Sequence, residues 1–214
     1  MKFTSTILIC LLALSTGMKA QFRWLNPKPT ANKIISVEFL NKDYGWIHTS
    51  HRIWSTSDGG DNWVEQYTSN TCIVDVSVLD SSRLWFSLHA GSLLYTDDAG
   101  ASWYLCGHLD LAISDMHVIG TDHIWLSGFM GGENCLYFSK DGGNTWRGSE
   151  SCDRFFKGIY FTDKSSGWVA AKDGLMRTGN GGWSWYPMHI PYAEYVTDVL
   201  FIQDGHGWVL EDMG

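Results

Sequence analysis

The chain has 214 residues, 44% of them hydrophobic, and a net charge of −8: enough to bury the core of one domain, and without the basic footprint a nucleic-acid partner needs. Twelve Trp and 23 Gly against only four Pro suit many short strands joined by tight turns, an all-β chain. The charge points neither to a membrane surface nor to a particular substrate.

The N-terminus opens with Met1-Lys2, an apolar run from Ile7 to Leu14 and the segment Ser15 to Ala20, which together have the three regions of a secretory signal peptide. Cleavage after Ala20 leaves Gln21 at the mature terminus, and removal of two Lys and no acid takes the net charge to −10. The run is too short for a membrane span, and no second hydrophobic stretch suggests an anchor. The predicted division is therefore a signal peptide over residues 1–20 and one β domain over residues 21–214, in a secreted or periplasmic protein.

From Gln21 a repeat of about forty residues takes over. Trp46, Trp85, Trp125, Trp168 and Trp208 recur at steps of 39, 40, 43 and 40 residues. Seven and nine residues before each lie two apolar positions: Phe39 and Val37, Val78 and Val76, Val118 and Met116, Phe161 and Ile159, Phe201 and Val199. A spacing of two puts each pair on one face of a strand. In the first unit the strands are expected at roughly Ile35 to Leu40, Gly45 to Thr49, Ile53 to Thr56 and Trp63 to Tyr67. Trp24 reads as the outer-strand Trp of a unit whose earlier strands are missing.

Between the third and fourth strands of each unit stands the pattern S/T-x-D/N-x-G-x-x-W. Its copies are Thr56, Asp58, Gly60, Trp63; Thr96, Asp98, Gly100, Trp103; Ser139, Asp141, Gly143, Trp146; and Thr178, Asn180, Gly182, Trp185. Asp followed by Gly marks a tight turn in which the carboxylate accepts backbone N–H groups. Asn180 keeps the acceptor and drops the charge, so the position is read as structural rather than as a catalytic acid. The two Trp ladders account for ten of the twelve Trp as packing between sheets, and a carbohydrate-stacking role is better sought in Trp54 or Trp183. The fifth unit stops after Trp208-Val209-Leu210, so the expected architecture is four to five blades of a longer ring, closed by missing blades or by a partner chain.

These residues resemble the Asp-box, or bacterial neuraminidase repeat, of β-propellers. The pairing of Gly45-Trp46, Gly167-Trp168 and Gly207-Trp208 with the boxes is most similar to the photosystem II stability/assembly-factor-like group, and more distantly to sortilin-type receptors and sialidases. The resemblance implies a β-propeller of four-stranded blades, six to eight in a full ring. It also implies box turns on the face opposite the usual ligand site. The candidate binding face is then carried by the second-to-third-strand hairpins, with His48, Arg52, His89, Glu133 and Asp173.

Three functions compete for that face. A sialidase needs clustered Arg, whereas the six Arg after residue 20 are spread over different phases of the repeat. A glycoside hydrolase needs two facing carboxylates; Asp75, Asp115 and Asp198 recur ten residues before the ladder Trp, but Ser36 and Gly158 replace them in the other units, as repeat grammar would. His48, His51 and His89 sit on equivalent hairpins with no acid or Cys to complete a metal site. The preferred reading is an exported non-catalytic scaffold for a protein partner or a glycan, with no cofactor and no metal; the alternative is a secreted sialidase- or xyloglucanase-like hydrolase. Among the cysteines, the repeat phase places Cys135 and Cys152 on adjacent strands as the favoured bridge and leaves Cys72 and Cys106 for a second, one of three connectivities open to the four.

Overall fold

A computed structural model describes residues 30, 32–149, 156–171, 174–190, 196–201 and 206–211. The expected signal segment, Trp24, Cys152 and Asp173 lie outside them. Eighteen strands and no helix occur among the described residues. The first sheet is β1 (Ser36–Phe39), β2 (Gly45–His48), β3 (Arg52–Thr56) and β4 (Val64–Thr68), and the second is β5 (Ile73–Val78), β6 (Leu84–Leu88), β7 (Ser92–Thr96) and β8 (Tyr104–His108). The third contains β9 (Ala112–Ile119), β10 (His123–Met130), β11 (Glu133–Ser139) and β12 (Arg147–Gly148). The fourth contains β13 (Phe156–Phe161), β14 (Gly167–Ala171), β15 (Gly174–Thr178) and β16 (Tyr186–Met188), and β17 (Val196–Phe201) pairs with β18 (Gly207–Glu211) in a two-stranded fifth.

Each sheet is an antiparallel meander in chain order. The inner strands β1, β5, β9, β13 and β17 contact one another in succession, so the sheets are arranged side by side like blades about an axis. The five sheets do not close a ring among the described residues.

Alternation along the strands produces this stacking. In β5, Val76 and Val78 pair across to Phe86 and Leu84 on one face; Val76, Leu84 and Phe86 are buried against Trp46 and Ile53 of the first sheet. On the opposite face Trp85 and Leu93 pack with Ile113, Met116, Ile124 and Leu126 of the third sheet. The pattern repeats between the third and fourth sheets, where Trp125 stacks on Phe161 with ring centroids 3.7 Å apart. Each sheet is thus apolar on both faces, and the core is a series of slabs between neighbouring blades.

The Gly that precedes the ladder Trp has a physical cause. Phe39, Phe161 and Phe201 lie directly opposite Gly45, Gly167 and Gly207, and a Cβ on Gly167 would sit 2.5 Å from the Phe161 ring. In the second and third sheets the corresponding pairs are Val78 with Leu84 and Val118 with Ile124. A ring over glycine and a branched aliphatic pair are two ways to fill the same space.

Candidate functional site

The four repeated corners share one hydrogen-bond pattern. Thr56 Oγ1 donates to Asp58 Oδ1 at 2.8 Å and accepts from Gly60 N at 2.9 Å, while Asp58 Oδ1 also accepts Asn62 N at 2.9 Å. The same three bonds recur at Thr96, Asp98, Gly100 and Ser102 and at Ser139, Asp141, Gly143 and Thr145. At Thr178, Asn180, Gly182 and Ser184 the amide oxygen of Asn180 replaces the carboxylate, with distances of 2.9, 3.1 and 3.1 Å. Hydrogen bonds from Asn62 lower the Asp58 carboxyl to about 2. These groups are satisfied within their own turn.

The hairpin edge differs in part from expectation. His48 ends β2 and is 1% exposed, with Nδ1 3.2 Å from Thr49 O, so it packs between sheets and presents nothing to a partner. Its place in the pleat explains this: His48 lies opposite Ser36, where the next two sheets pair Ser87 with Asp75 and Ser127 with Asp115. A large ring beside a small residue replaces a small residue beside a carboxylate. Arg52, His89 and Glu133 are exposed; Arg52 pairs with Glu65 at 3.0 Å and His89 Nδ1 approaches Ile113 O at 3.2 Å. The third hairpin is shorter than expected, because β10 and β11 run on to a Gly131-Gly132 turn with φ of 62° and 98°, the positive-φ pair of a two-residue hairpin.

Among the described residues no group of three or more His, Cys, Asp or Glu is placed to hold a metal ion. Cys72 and Cys106 are both free thiols: Cys72 is exposed just ahead of β5, with Sγ 4.0 Å from His51 Nε2, and Cys106 in β8 turns to Leu93 O, so the second expected bridge does not form. The Cys135 to Cys152 pair falls partly outside the described residues. Trp54 is 4% exposed and too buried to stack on a sugar, while Trp183 is 39% exposed, beside Phe138 and Arg147.

The inner-strand acids do come together. Asp115 Oδ2 accepts Ile159 N, 2.6 Å away on the next sheet, and Asp75 accepts the corresponding Met116 N as well as its own Val76 N at 2.9 Å. The Asp75 and Asp115 carboxyls lie close enough to act on each other's charge. Burial, with the neighbouring Asp198 charge, pushes Asp75 up to about 6; burial and then the Asp75 charge push Asp115 well above the ordinary carboxylate range. Burial raises Glu38 to about 7, with the Asp75 charge adding to it. Asp198 leans back on the preceding blade, where a Cβ on Gly158 would meet its Oδ1 at 2.6 Å, so glycine is required there. Sequence alone showed the recurrence of these acids but not that Asp75 and Asp115 bind the backbone of the next blade.

Radially stacked four-stranded meanders define a β-propeller. No family model and no curated protein matches the chain. The chain is similar in fold to solved structures of YCF48 from Cyanidioschyzon merolae (20% identity, 88% of this chain and 69% of that one, TM-score 0.68) and of YCF48 bound to D1 peptide (18%, 86% and 62%, TM-score 0.65). It is likewise similar to an ancestral GH74 enzyme (16%, 84% and 28%, TM-score 0.67). The chain thus spans 62% of the peptide-bound YCF48 chain.

Proposed function

We propose that this chain is an exported, non-catalytic propeller of the Asp-box type that acts as a scaffold for a protein partner, akin to the photosystem II stability/assembly-factor-like group. The observation that carries the reading is the use made of the inner-strand acids. A hydrolase needs two carboxylates free to face a substrate across a gap, whereas Asp75 and Asp115 bind Met116 N and Ile159 N and brace one blade against the next. A frame braced in this way holds its edge loops still, which lowers the entropic cost of engaging a partner. A propeller of similar fold holds a peptide, and the exposed Arg52, His89 and Glu133 offer polar and charged contacts along one edge.

The test is site-specific photocrosslinking from position 133 in the exporting cell, followed by mass spectrometry. A discrete protein adduct that Arg52→Glu abolishes supports the scaffold. Turnover of any glucan or sialoside by the purified protein, lost in Asp75→Asn or Asp115→Asn, would overturn it in favour of the hydrolase. Export is checked separately: N-terminal sequencing of the secreted protein should begin at Gln21.

A further inference from the structure

Between the second and third sheets, at the corner edge rather than the hairpin edge, lies a cleft of about 630 Å³. Trp85, Tyr95 and Tyr104 stand in cross-strand register on β6, β7 and β8 and form one wall. Trp85 stacks on Tyr95 at 6.0 Å and 22°, and Tyr95 lies tilted against Tyr104 at 5.4 Å and 35°. Trp85, 4% exposed, is taken up by the core between the two sheets, so the aromatic surface left to the cleft is that of Tyr95 and of Tyr104, the latter 48% exposed. Arg83, Asp97 and Asn144 line the same cleft.

Packing does not demand this arrangement, because the repeat fills the equivalent positions differently. The first sheet has Trp46, Ser55 and Val64, the third Trp125, Phe138 and Arg147, and the fourth Trp168, Arg177 and Tyr186. In the third sheet Trp125 Nε1 donates to Gly181 O of the following corner at 2.9 Å and clamps the blades together. Its counterpart Trp85 packs on the third sheet without such a bond among the described residues, and the cleft opens beyond it, towards Tyr95 and Tyr104.

We infer that this cleft binds a neutral saccharide chain. A pyranose has apolar C–H faces and a rim of hydroxyls that both donate and accept. It is matched by flat aromatic faces flanked by planar polar groups, here a guanidinium, a carboxylate and an amide. A cation would call for rings set around it as a box, with no guanidinium alongside. An acidic sugar or a phosphate would meet Asp97 and Asp141 against the single cation Arg83, itself paired with Asp80 at 2.6 Å. Asp97 and the hydroxyls of Tyr95 and Tyr104 have no protein partner among the described residues and are available to sugar hydroxyls.

The site lies beyond the scaffold reading and stands or falls apart from it, since photocrosslinking at the hairpin edge does not pass through Tyr104. The test is isothermal titration of the full mature chain with cellohexaose, xylohexaose and mannohexaose. At least one should bind with a submillimolar Kd. Tyr104→Ala should weaken that binding at least about tenfold and Asp97→Ala about tenfold, as loss of a charge-assisted hydrogen bond does. Tyr104→Phe, which keeps the ring, should retain most of the affinity. The inference fails if none of the three binds at millimolar concentration, if binding survives Tyr104→Ala, or if an oligolysine peptide occupies the cleft more tightly than any of the saccharides.

Discussion

Ala99 is the one non-glycine residue with positive φ among those described, at 61°. The other three corners place Gly59, Gly142 and Gly181 at the same point, with φ of 72°, 71° and 74°, so the turn requires the left-handed conformation and Ala99 adopts it under strain. Replacing it with Gly removes the Cβ clash but adds backbone freedom to the unfolded chain, so Ala99→Gly should stabilise the protein by up to about 1 kcal/mol in urea denaturation. Gly167 poses the opposite case. Gly167→Ala drives a methyl into the Phe161 ring and should cost about 1–3 kcal/mol. In a Phe161→Val background, which leaves the space that Val78 and Val118 leave in their own sheets and carries its own cost for the lost ring, Gly167→Ala should cost less than in the native protein. If Gly167→Ala costs as much in the Phe161→Val background as in the native one, the ring is not what excludes a side chain there.

At the scale of the element, the inner strands are joined by acids whose protonation the fold controls. Asp75 rises from 3.8 to about 6, so it holds its proton more tightly in the folded than in the unfolded chain. Such a group costs nothing below about 4 and progressively destabilises the fold as pH rises towards and past 6. His117, which burial pushes down to about 4, acts in the opposite sense: its contribution is complete above about 6.5 and lost as pH falls through 4. The two effects overlap, so Asp75 has to be isolated by difference. The stability of Asp75→Asn relative to the native protein should improve between pH 4 and pH 7, read by urea denaturation at each pH. A difference that stays flat would mean that the carboxyl ionises as freely in the fold as in water.

Across the whole molecule, equivalent residues differ according to which sheet they stand in. Val37 and Val76 occupy the same position of the repeat, yet Val37 is 57% exposed and Val76 9%, because the second sheet has the first to pack against. In this chain Val37→Lys should change stability by less than about 0.5 kcal/mol, whereas Val76→Lys, which buries an unpaired charge, should cost several-fold more. Likewise Trp208 is 56% exposed and Trp125 1%; Trp125→Ala should cost about 3–5 kcal/mol and Trp208→Ala far less. Thermal denaturation of the four variants checks both pairs.

Much of this was written locally and so could be read from the sequence. Strand positions in the first unit, the faces of the inner strands and the acceptor role at the corners follow from period-two alternation and from turn chemistry confined to a few neighbouring residues, which is why Asn180 could be recognised as a structural substitute for Asp. The relations across sheets could not be read in that way. Burial of His48, the separation of Cys72 from Cys106, the bonds from Asp75 and Asp115 to the next blade and the open cleft at Tyr95 and Tyr104 all depend on how one forty-residue unit lies against another. That packing is set by contacts between residues far apart in the chain, and no local pattern encodes them.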